Sequence, residues 1–487
     1  MTNSIVGEWY TVTLGDIVDY GKAEKCRLED VSPSTWVLEL EDIQKESSKL
    51  IKRVDAAERQ FKSTKNKFKS GDVLYGKLRP YLNKVIIADQ EGVATTEVIP
   101  MDASPHVDNR YLLYWLKGDK FLSYVNEVSY GVNMPRLGTK DGKAAPFVLP
   151  PIAEQKVIAE KLDKLFVKVD SIKTHLDTIP DTLKRFRQSV LTTAVSGKLT
   201  EEWRLEHHAP ESINFTEETK EERLHKGIKE GKLAKEANVL SVPYEIPESW
   251  DWVRLGHLAL KITDGAHNTP KVLESGFPYL MAKDLTSGQL NFSENRFVSE
   301  GVHRELYNKC KPEVGDLLVV NIGAGTGNNV LIDVGFEFSF KNIAIVKRPN
   351  YIAPSYLQYY FESAKQRIFQ DQAKGGAQPF LSLTMLNDVP FALPPQSEQA
   401  EIVHRVDKLF AYANKVEAEV NAAQERVNKL TQSILAKAFR GELTAKWREQ
   451  NPELISGENS AEALLAKVKA ERKKLKPKKN TRTRKKV

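Results

Sequence analysis

The chain contains 487 residues with a mass of 55.0 kDa, which is too long for one ordinary domain and predicts two or three. Hydrophobic residues make up 41% of the chain, enough for packed cores, and the net charge of +7 permits an acidic partner. Two distant cysteines, Cys26 and Cys310, exclude a disulfide framework and a cysteine-based zinc site.

The first residues and the hydropathy of the chain indicate its compartment. Met1–Trp9 lack the basic flank and the apolar stretch of a signal peptide. No window approaches about 18 uninterrupted apolar residues, the length that predicts a membrane span. We therefore expect a cytoplasmic protein without a membrane partner.

Residues 1–150 and 245–395 form two variable domains, which differ almost completely from each other in sequence. Short apolar runs such as Val85–Ala88, Asp316–Val320 and Ile343–Val346, separated by Gly, Asn and Asp, predict strands joined by turns. One helix is expected in each domain, near Arg110–Tyr124 and Pro354–Phe369. The sequence therefore predicts an α+β fold with two small α/β globules.

Polar and aromatic residues occupy the turns of both variable domains. Arg and Lys suit phosphates and guanine, whereas Asn and Gln can make paired hydrogen bonds to adenine. The alternative for each of these residues is that it belongs to an ordinary solvated turn and does not contact DNA. The candidates for DNA contact are Lys77, Arg79, Tyr81, Asn83, Lys84, Tyr130, Asn133 and Arg136 in the first domain, and Asn321, Thr326, Asn328, Asn329, Lys374 and Gln378 in the second.

A duplicated segment follows each variable domain. Phe147–Arg204 align without a gap to Phe391–Arg448 at an offset of 244, with 20 identities in 58 positions. Each copy opens with a Pro-Pro pair and a Glu-Gln pair, and each ends with Gly-x-Leu-Thr and Trp-Arg. The organisation is therefore variable domain, similar segment, variable domain, similar segment.

Each similar segment predicts a long coiled-coil helix, over 151–204 and 396–448. Its apolar residues recur at alternating steps of four and three. The two helices are expected to pack on each other within one chain, although an intermolecular zipper is the alternative, and Pro180 is expected to kink the first. The predicted seam comprises Ile158, Leu162, Leu165, Val169, Ile172, Leu176, Leu183, Phe186, Ile402, Val406, Leu409, Val416, Val420, Val427, Leu430 and Ile434.

Two glycine-rich stretches resemble nucleotide-binding motifs but fail their requirements. Gly71–Leu78 resemble a P-loop, but Leu78 stands where a P-loop has a Ser or Thr, and Pro80 prevents the helix that should follow. Gly323–Gly327 could be an S-adenosylmethionine loop, but no clean helix follows, so a hairpin turn is favoured. No catalytic or metal-binding constellation is predicted.

The duplicated motifs identify a family resemblance. Leu149–Lys156, Leu183–Leu191 and Gly197–Arg204, together with the duplicated order, resemble the specificity subunit of type I restriction–modification enzymes. In the second variable domain, Asp264–Pro270, which include His267, and Gly315–Leu318 resemble the target-recognition domains of that family. The similarity extends over nearly the whole chain to about residue 450.

The resemblance implies a noncatalytic DNA-binding subunit. Two target-recognition domains would each bind one half of a bipartite double-stranded site, and His267 joins the candidate DNA contacts. An antiparallel coiled coil of the two helices would separate the domains, set the spacer and dock two methylation subunits. S-adenosylmethionine, ATP and Mg would belong to the methylation and restriction subunits, with no cofactor in this chain.

Two other functions remain open at this point. The chain could be a self-contained DNA adenine methyltransferase with Gly323–Gly327 as its cofactor loop, or a coiled-coil scaffold without DNA specificity. The Glu- and Lys-rich residues 205–244 predict a solvated, partly helical connector. The basic residues 449–487 predict either a disordered solubilising tail or a segment that contacts DNA nonspecifically.

Overall fold

The computed structural model describes residues 9–207, 214–229, 240–266, 269–285, 288–294, 296–323, 325–370 and 380–475. The chain divides into two compact units, one of Met1–Asp177 with Asn421–Val487 and the other of Thr178–Val420. The boundaries between the units lie inside the two long helices rather than at the ends of the variable domains. Each unit therefore contains one variable domain and parts of both long helices.

Unit 1 builds its variable domain from short strands and helices. It has two main sheets, one of four strands and one of three. In the three-stranded sheet, Val73–Gly76 and Val85–Ile87 form an antiparallel hairpin. The strands are Tyr10–Thr13, Lys25–Cys26, Trp36–Leu38, Lys65–Phe68, Val73–Gly76, Val85–Ile87, Gly92–Ala94, Val98–Met101 and Pro146–Leu149, and the helices before the long helix are Leu14–Ile17, Asn109–Lys117, Asp119–Val128 and Thr139–Ala144.

Unit 2 has a similar composition of elements. A four-stranded and a three-stranded sheet form its centre. The strand Asp251–Arg254 pairs antiparallel with Pro390–Leu393. The equivalent pair in unit 1 is Tyr10–Thr13 with Pro146–Leu149. The strands are Asp251–Arg254, Lys261–Asp264, Phe277–Met281, Phe297–Val298, Leu317–Val320, Asn329–Leu331, Ser339–Lys341, Ile343–Lys347 and Pro390–Leu393, and the helices of the domain are Leu255–Leu258, Glu300–Cys310, Pro354–Gln370 and Leu383–Asn387.

The variable domains contain more helix than the sequence predicts. The helix expected near Arg110–Tyr124 is two helices, Asn109–Lys117 and Asp119–Val128, because Gly118 between them has extended backbone angles. In unit 2 the helix Pro354–Gln370 is confirmed, but Glu300–Cys310 form a further helix. The prediction of one helix per domain is therefore wrong, whereas the α+β class is confirmed.

Both duplicated segments form helices of 44 residues, Ile152–Val195 and Gln396–Phe439. The first helix continues through Pro180 without a break. The chain leaves the helices at Gly197 and Gly441, whose φ angles of 76° and 75° favour glycine. Both helices therefore end before these glycines, short of the predicted bounds at 204 and 448.

The long helices run antiparallel within each unit. In unit 1, Lys161 donates a hydrogen bond to the Leu443 carbonyl at 2.7 Å, and Gln424 donates to Asp177 at 3.2 Å. In unit 2, Arg187 donates to Glu417 at 2.7 Å and Arg405 to the Leu199 carbonyl at 2.9 Å. These contacts within one chain confirm intramolecular pairing over an intermolecular zipper.

Most of the predicted seam faces the interior. Ile158, Leu162, Ile402 and Val406 are fully buried, and the others are buried or half-buried with two exceptions. Ile172 and Leu430 expose 45% and 43% of their surfaces, so their assignment to a buried seam is wrong.

A buried carboxylate at the start of the first long helix accepts hydrogen bonds from two distant segments. Glu154 is fully buried and accepts hydrogen bonds from the Trp9 indole at 2.8 Å, the Thr444 hydroxyl at 2.6 Å and the Arg448 guanidinium at 2.5 Å. These four residues are called carboxylate cluster 1. It joins the first residues of the domain to the segment that follows the second long helix.

Unit 2 repeats this arrangement as carboxylate cluster 2. Glu398 accepts from the Trp250 indole at 2.8 Å, from the Thr200 hydroxyl at 2.6 Å and from Arg204. The Thr and Arg that bind each glutamate thus come from the other copy of the duplicated segment. The repeated Glu and the repeated Thr-x-x-x-Arg are the two halves of one interaction.

The connector is partly helical, as the sequence predicts, although part of it is buried, and the C-terminal segment is more ordered than expected. In the connector, helix Phe215–His225 buries Arg223, which donates to the Leu260 and Ala259 carbonyls at 3.1 and 2.7 Å. After residue 449, helix Ala461–Leu475 packs into the core of unit 1 through Leu464, Leu465 and Val468. The prediction of a disordered tail is therefore wrong for residues 461–475. Residues 476–487 lie outside the described residues.

Carboxylate cluster 1 generates a stability prediction. Glu154→Gln removes the charge that pairs with Arg448 while retaining the side-chain volume, so Arg448 is left without a counter-ion in a largely buried position. Loss of one partner of such a pair costs about 3–5 kcal/mol. Thermal unfolding of the purified chain should show a clearly lower midpoint.

Glu160→Gln is the matched control, because Glu160 is an exposed residue of the same helix. It should leave the unfolding midpoint within about 1 °C of wild type, since exposed substitutions change stability little. Equal midpoints for the two variants would show that cluster 1 contributes nothing to stability.

Candidate nucleic-acid interface

The first group of predicted contacts lies on the connection between two antiparallel strands. Residues 77–84 join Val73–Gly76 to Val85–Ile87 and include a short 3-10 turn, Pro80–Leu82. Arg79 and Asn83 flank this turn with φ angles of 50° and 47°. The left-handed conformation at both ends makes the connection compact and determines which side chains reach the surface.

Backbone hydrogen bonds join this connection to the second predicted loop. The Arg79 amide donates to the Pro135 carbonyl at 2.7 Å, and the Leu137 amide donates to the Lys77 carbonyl at 3.0 Å. Residues 77–84 and 130–136 are therefore called the paired loops. They bring together all eight residues predicted in the first domain, from two distant parts of the sequence, namely Lys77, Arg79, Tyr81, Asn83, Lys84, Tyr130, Asn133 and Arg136.

The side chains of the paired loops offer both charge and aromatic surface to solvent. Tyr81 and Tyr130 expose 49% and 62% of their surfaces. Arg136 is half-exposed and donates to Glu97 at 3.3 Å. Cationic groups beside exposed aromatic rings suit a ligand with phosphates and planar bases.

Asn83 and Lys84 face the protein instead. Asn83 is buried and its amide lies 3.4 Å from the Lys117 carbonyl. Lys84 donates to the Leu40 carbonyl at 2.7 Å, and its burial lowers the pKa of its ammonium group. The prediction that Asn83 contacts DNA is corrected, because its side chain has no access to solvent in this structure.

Unit 2 has a corresponding loop connection. The strands Leu317–Val320 and Asn329–Leu331 form an antiparallel hairpin, which confirms that Gly323–Gly327 belong to a hairpin turn. Ile322 pairs with Phe380, as Leu78 pairs with Arg136 in unit 1. Both partners are displaced by 244 residues, the offset of the duplicated segments.

Three of the predicted residues in this hairpin are buried. Asn321 and Thr326 are buried, and Asn329 is buried and donates to Glu362 at 2.8 Å. Their prediction as DNA contacts is corrected, because all three side chains are buried, those of Asn321 and Thr326 in the connection and that of Asn329 on a strand. Asn328 is half-buried and accepts from Lys365 at 2.5 Å. His267, Lys374 and Gln378 lie outside the described residues.

Three exposed residues of these loops were not predicted. Phe380, at the position equivalent to Arg136, is 53% exposed. In the loop of unit 1, Val132 is fully exposed and Met134 is 50% exposed. For Val132 and Met134, the position between Tyr130 and Arg136 in the sequence was the available signal, but the apolar character of all three residues suggested an interior position.

The described part of the chain contains neither a metal-binding cluster nor a membrane-spanning helix. No group of three or more His, Cys, Asp and Glu there could hold a metal ion. Within the same residues, none of the helices combines the length and the apolar character needed to cross a membrane.

Comparison with known proteins agrees with the duplicated loops and helices. The family model for the type I restriction modification DNA specificity domain matches the chain twice, over residues 7–181 and 247–426. The chain belongs to this family. Each match covers one variable domain of this specificity protein and the first part of the long helix that follows it.

Individual members of the family are similar over most of their length. The specificity protein is 36% identical to the type I restriction enzyme EcoBI specificity subunit of Escherichia coli, over 75% of this chain and 72% of that protein. It is 34% identical to the StySPI specificity subunit of Salmonella potsdam, over 75% of this chain and 72% of that one.

Solved structures show the same fold at lower sequence identity. A chain from a study of assembly and conformational transition of the type I R-M system matches with a TM-score of 0.67 at 18% identity, covering 90% of this chain and 99% of that one. The HsdS subunit from Thermoanaerobacter tengcongensis matches with a TM-score of 0.53 at 19% identity, covering 90% and 98%.

Proposed function

We propose that the chain is the noncatalytic specificity subunit of a type I restriction–modification complex and that each unit binds one half of a bipartite double-stranded DNA site. The observation that carries this proposal is the repeated bridge, Leu78 with Arg136 and Ile322 with Phe380. It occurs once in each unit, beside the hairpin that presents the candidate contacts.

The two units would bind different half-sites because equivalent positions carry different side chains. Arg136 can contact phosphate or guanine, whereas Phe380 offers only an apolar ring. At the offset of 244 residues, neither exposed tyrosine of the paired loops has a tyrosine counterpart in the second variable domain. One scaffold thus carries two unrelated recognition surfaces, as a bipartite target requires.

Catalysis would belong to partner subunits. Two methylation subunits would carry S-adenosylmethionine, and restriction subunits would supply ATP- and Mg-dependent cleavage. The self-contained methyltransferase is disfavoured because Gly323–Gly327 connect two antiparallel strands, whereas a cofactor loop of that kind joins a strand to a helix. Cytoplasmic location follows from the same proposal.

The long helices would set the spacer and dock the methylation subunits. Ile172 and Leu430 belong to the apolar register of the helices but are exposed in unit 1. Exposed apolar side chains in such a register suit a partner helix or a partner surface. A coiled-coil scaffold without DNA specificity would show the same helices, so DNA binding is the measurement that separates the two proposals.

Salt dependence tests the role of the cationic groups in the paired loops. The target is first obtained by mapping methylated adenines in cells that express this chain with its methylation subunit. Affinity of the purified complex for that duplex is then measured across salt concentrations. Arg79→Ala and Arg136→Ala should each weaken binding and reduce the magnitude of the salt slope by about 0.9, because each removes one cation that neutralises a phosphate.

Arg440→Ala is the control, because Arg440 is exposed in the same unit but pairs with Glu442 at the end of the second long helix. It should leave the slope unchanged. Unchanged slopes for both loop variants would exclude phosphate binding by the paired loops, and wild-type binding without sequence preference would favour the scaffold.

Spacer length tests the role of the helices. Val190, Leu191 and Val195 are buried in the core of unit 2, so an insertion there would disturb packing. Four residues are instead inserted after Asp177 in the first helix and after Val420 in the second, which adds about 6 Å to each. Methylation mapping should show a gap longer by about one to two base pairs.

Both half-sites should remain unchanged in this variant, because neither variable domain is altered. Four conservative substitutions at the same positions, without a change of length, should leave the gap at its wild-type value. An unchanged gap in the insertion variant, or altered half-sites with the gap preserved, would contradict the proposal that the helices set the spacer.

A further inference from the structure

The tip of the second paired loop is a closed and well-defined turn. Tyr130 and Arg136 pair through two backbone hydrogen bonds, of 3.2 and 2.9 Å. Gly131 has a φ of 108°, and a Cβ there would lie 3.0 Å from the Met134 carbonyl oxygen. Residues 131–135, called the loop tip, are therefore held in one tight conformation at their base.

The loop tip presents apolar side chains to water. Val132 is 100% exposed and Met134 is 50% exposed, next to Tyr130 at 62%. Val132 therefore contributes nothing to the packing of unit 1. A cluster of exposed apolar side chains on one projecting turn is typical of a binding surface.

The charge around the loop tip indicates the chemistry of its partner. Lys77, Arg79 and Arg136 belong to the same paired loops, and Arg136 is hydrogen-bonded to the carboxylate of Glu97. The surface is thus cationic at its base and apolar at its tip. Duplex DNA has the complementary arrangement, with phosphates outside and stacked apolar base faces inside.

We propose that Val132 and Met134 insert between two adjacent base pairs of the half-site bound by unit 1 and unstack them. Apolar side chains of this size insert from the minor groove in other classes of DNA-binding protein, at a cost of a few kcal/mol for the unstacked step. The proposal rests on the proposed function of the paired loops in DNA binding.

Insertion would also contribute to sequence selectivity. Pyrimidine–purine steps unstack more easily than other steps, so the tip would favour such a step without any hydrogen bond to a base. This contribution would explain why a recognition loop carries Val132 and Met134 where side chains with hydrogen-bonding groups would be expected.

The test uses the complex of the full chain with its methylation subunit and the mapped target duplex. 2-Aminopurine replaces single bases of the half-site bound by unit 1, excluding the methylated adenine. Its fluorescence increases when the base is unstacked. Wild-type complex should increase the signal severalfold at one step, and the double variant Val132→Ser with Met134→Ser should abolish that increase.

The same double variant should weaken specific binding by about 10- to 100-fold, because two apolar side chains no longer become buried against bases. Its salt slope should stay at the wild-type value, since no cationic group is changed. Val132→Leu should retain the fluorescence increase. Ile51→Ala, which removes an apolar side chain 63% exposed outside the paired loops, is the control and should match wild type.

Four results would count against insertion. A full fluorescence increase in the double variant, or no increase with wild type at any step despite specific binding, would overturn it. Loss of co-purification with the methylation subunit in the double variant would show that the tip binds protein. Wild-type complex without sequence-selective binding would instead overturn the proposed function, and insertion with it.

Discussion

The structure depends on two buried carboxylates that have no charge partner within their own copy of the duplicated segment. An ionised carboxylate is costly to bury unless charged and neutral donors surround it. Glu154 and Glu398 each obtain an indole, a hydroxyl and a guanidinium, and the last two come from beyond the far end of the other long helix. Each unit therefore requires both helices, arranged antiparallel, before its glutamate is satisfied.

Much of this fold was predictable from the sequence because its strongest signals are periodic or repeated. The alternating apolar steps predicted both long helices, and the duplication predicted that they pair within the chain. The exchange of donors was not predictable, because Glu154 and Arg448 lie 294 residues apart and share no local pattern. The helix Ala461–Leu475 was missed because its lysines and arginines concealed the apolar positions Leu464, Leu465 and Val468.

The candidate interface was predictable by location but not by residue. Polar turn residues indicated the paired loops, yet Asn83 is buried, since a turn needs amide groups inside as well as outside. Asn329 is also buried, because it lies on a strand and its amide donates to Glu362. Exposed Val132 and Phe380 were missed, because an apolar residue is ordinarily assigned to a core. Which side chain of a tight turn faces solvent depends on backbone angles such as those of Arg79 and Gly131, and residue type alone does not specify them.

Exchange of one recognition surface is the most direct test of the account, which holds that each unit specifies half of the target independently. Residues 256–389 are replaced by the corresponding residues of the StySPI specificity subunit, leaving carboxylate cluster 2 intact. Methylated adenines are then mapped in cells that express the chimera with the methylation subunit. One half-site should change, while the other half-site and the gap should be retained. A change in both half-sites, or in neither, would contradict it.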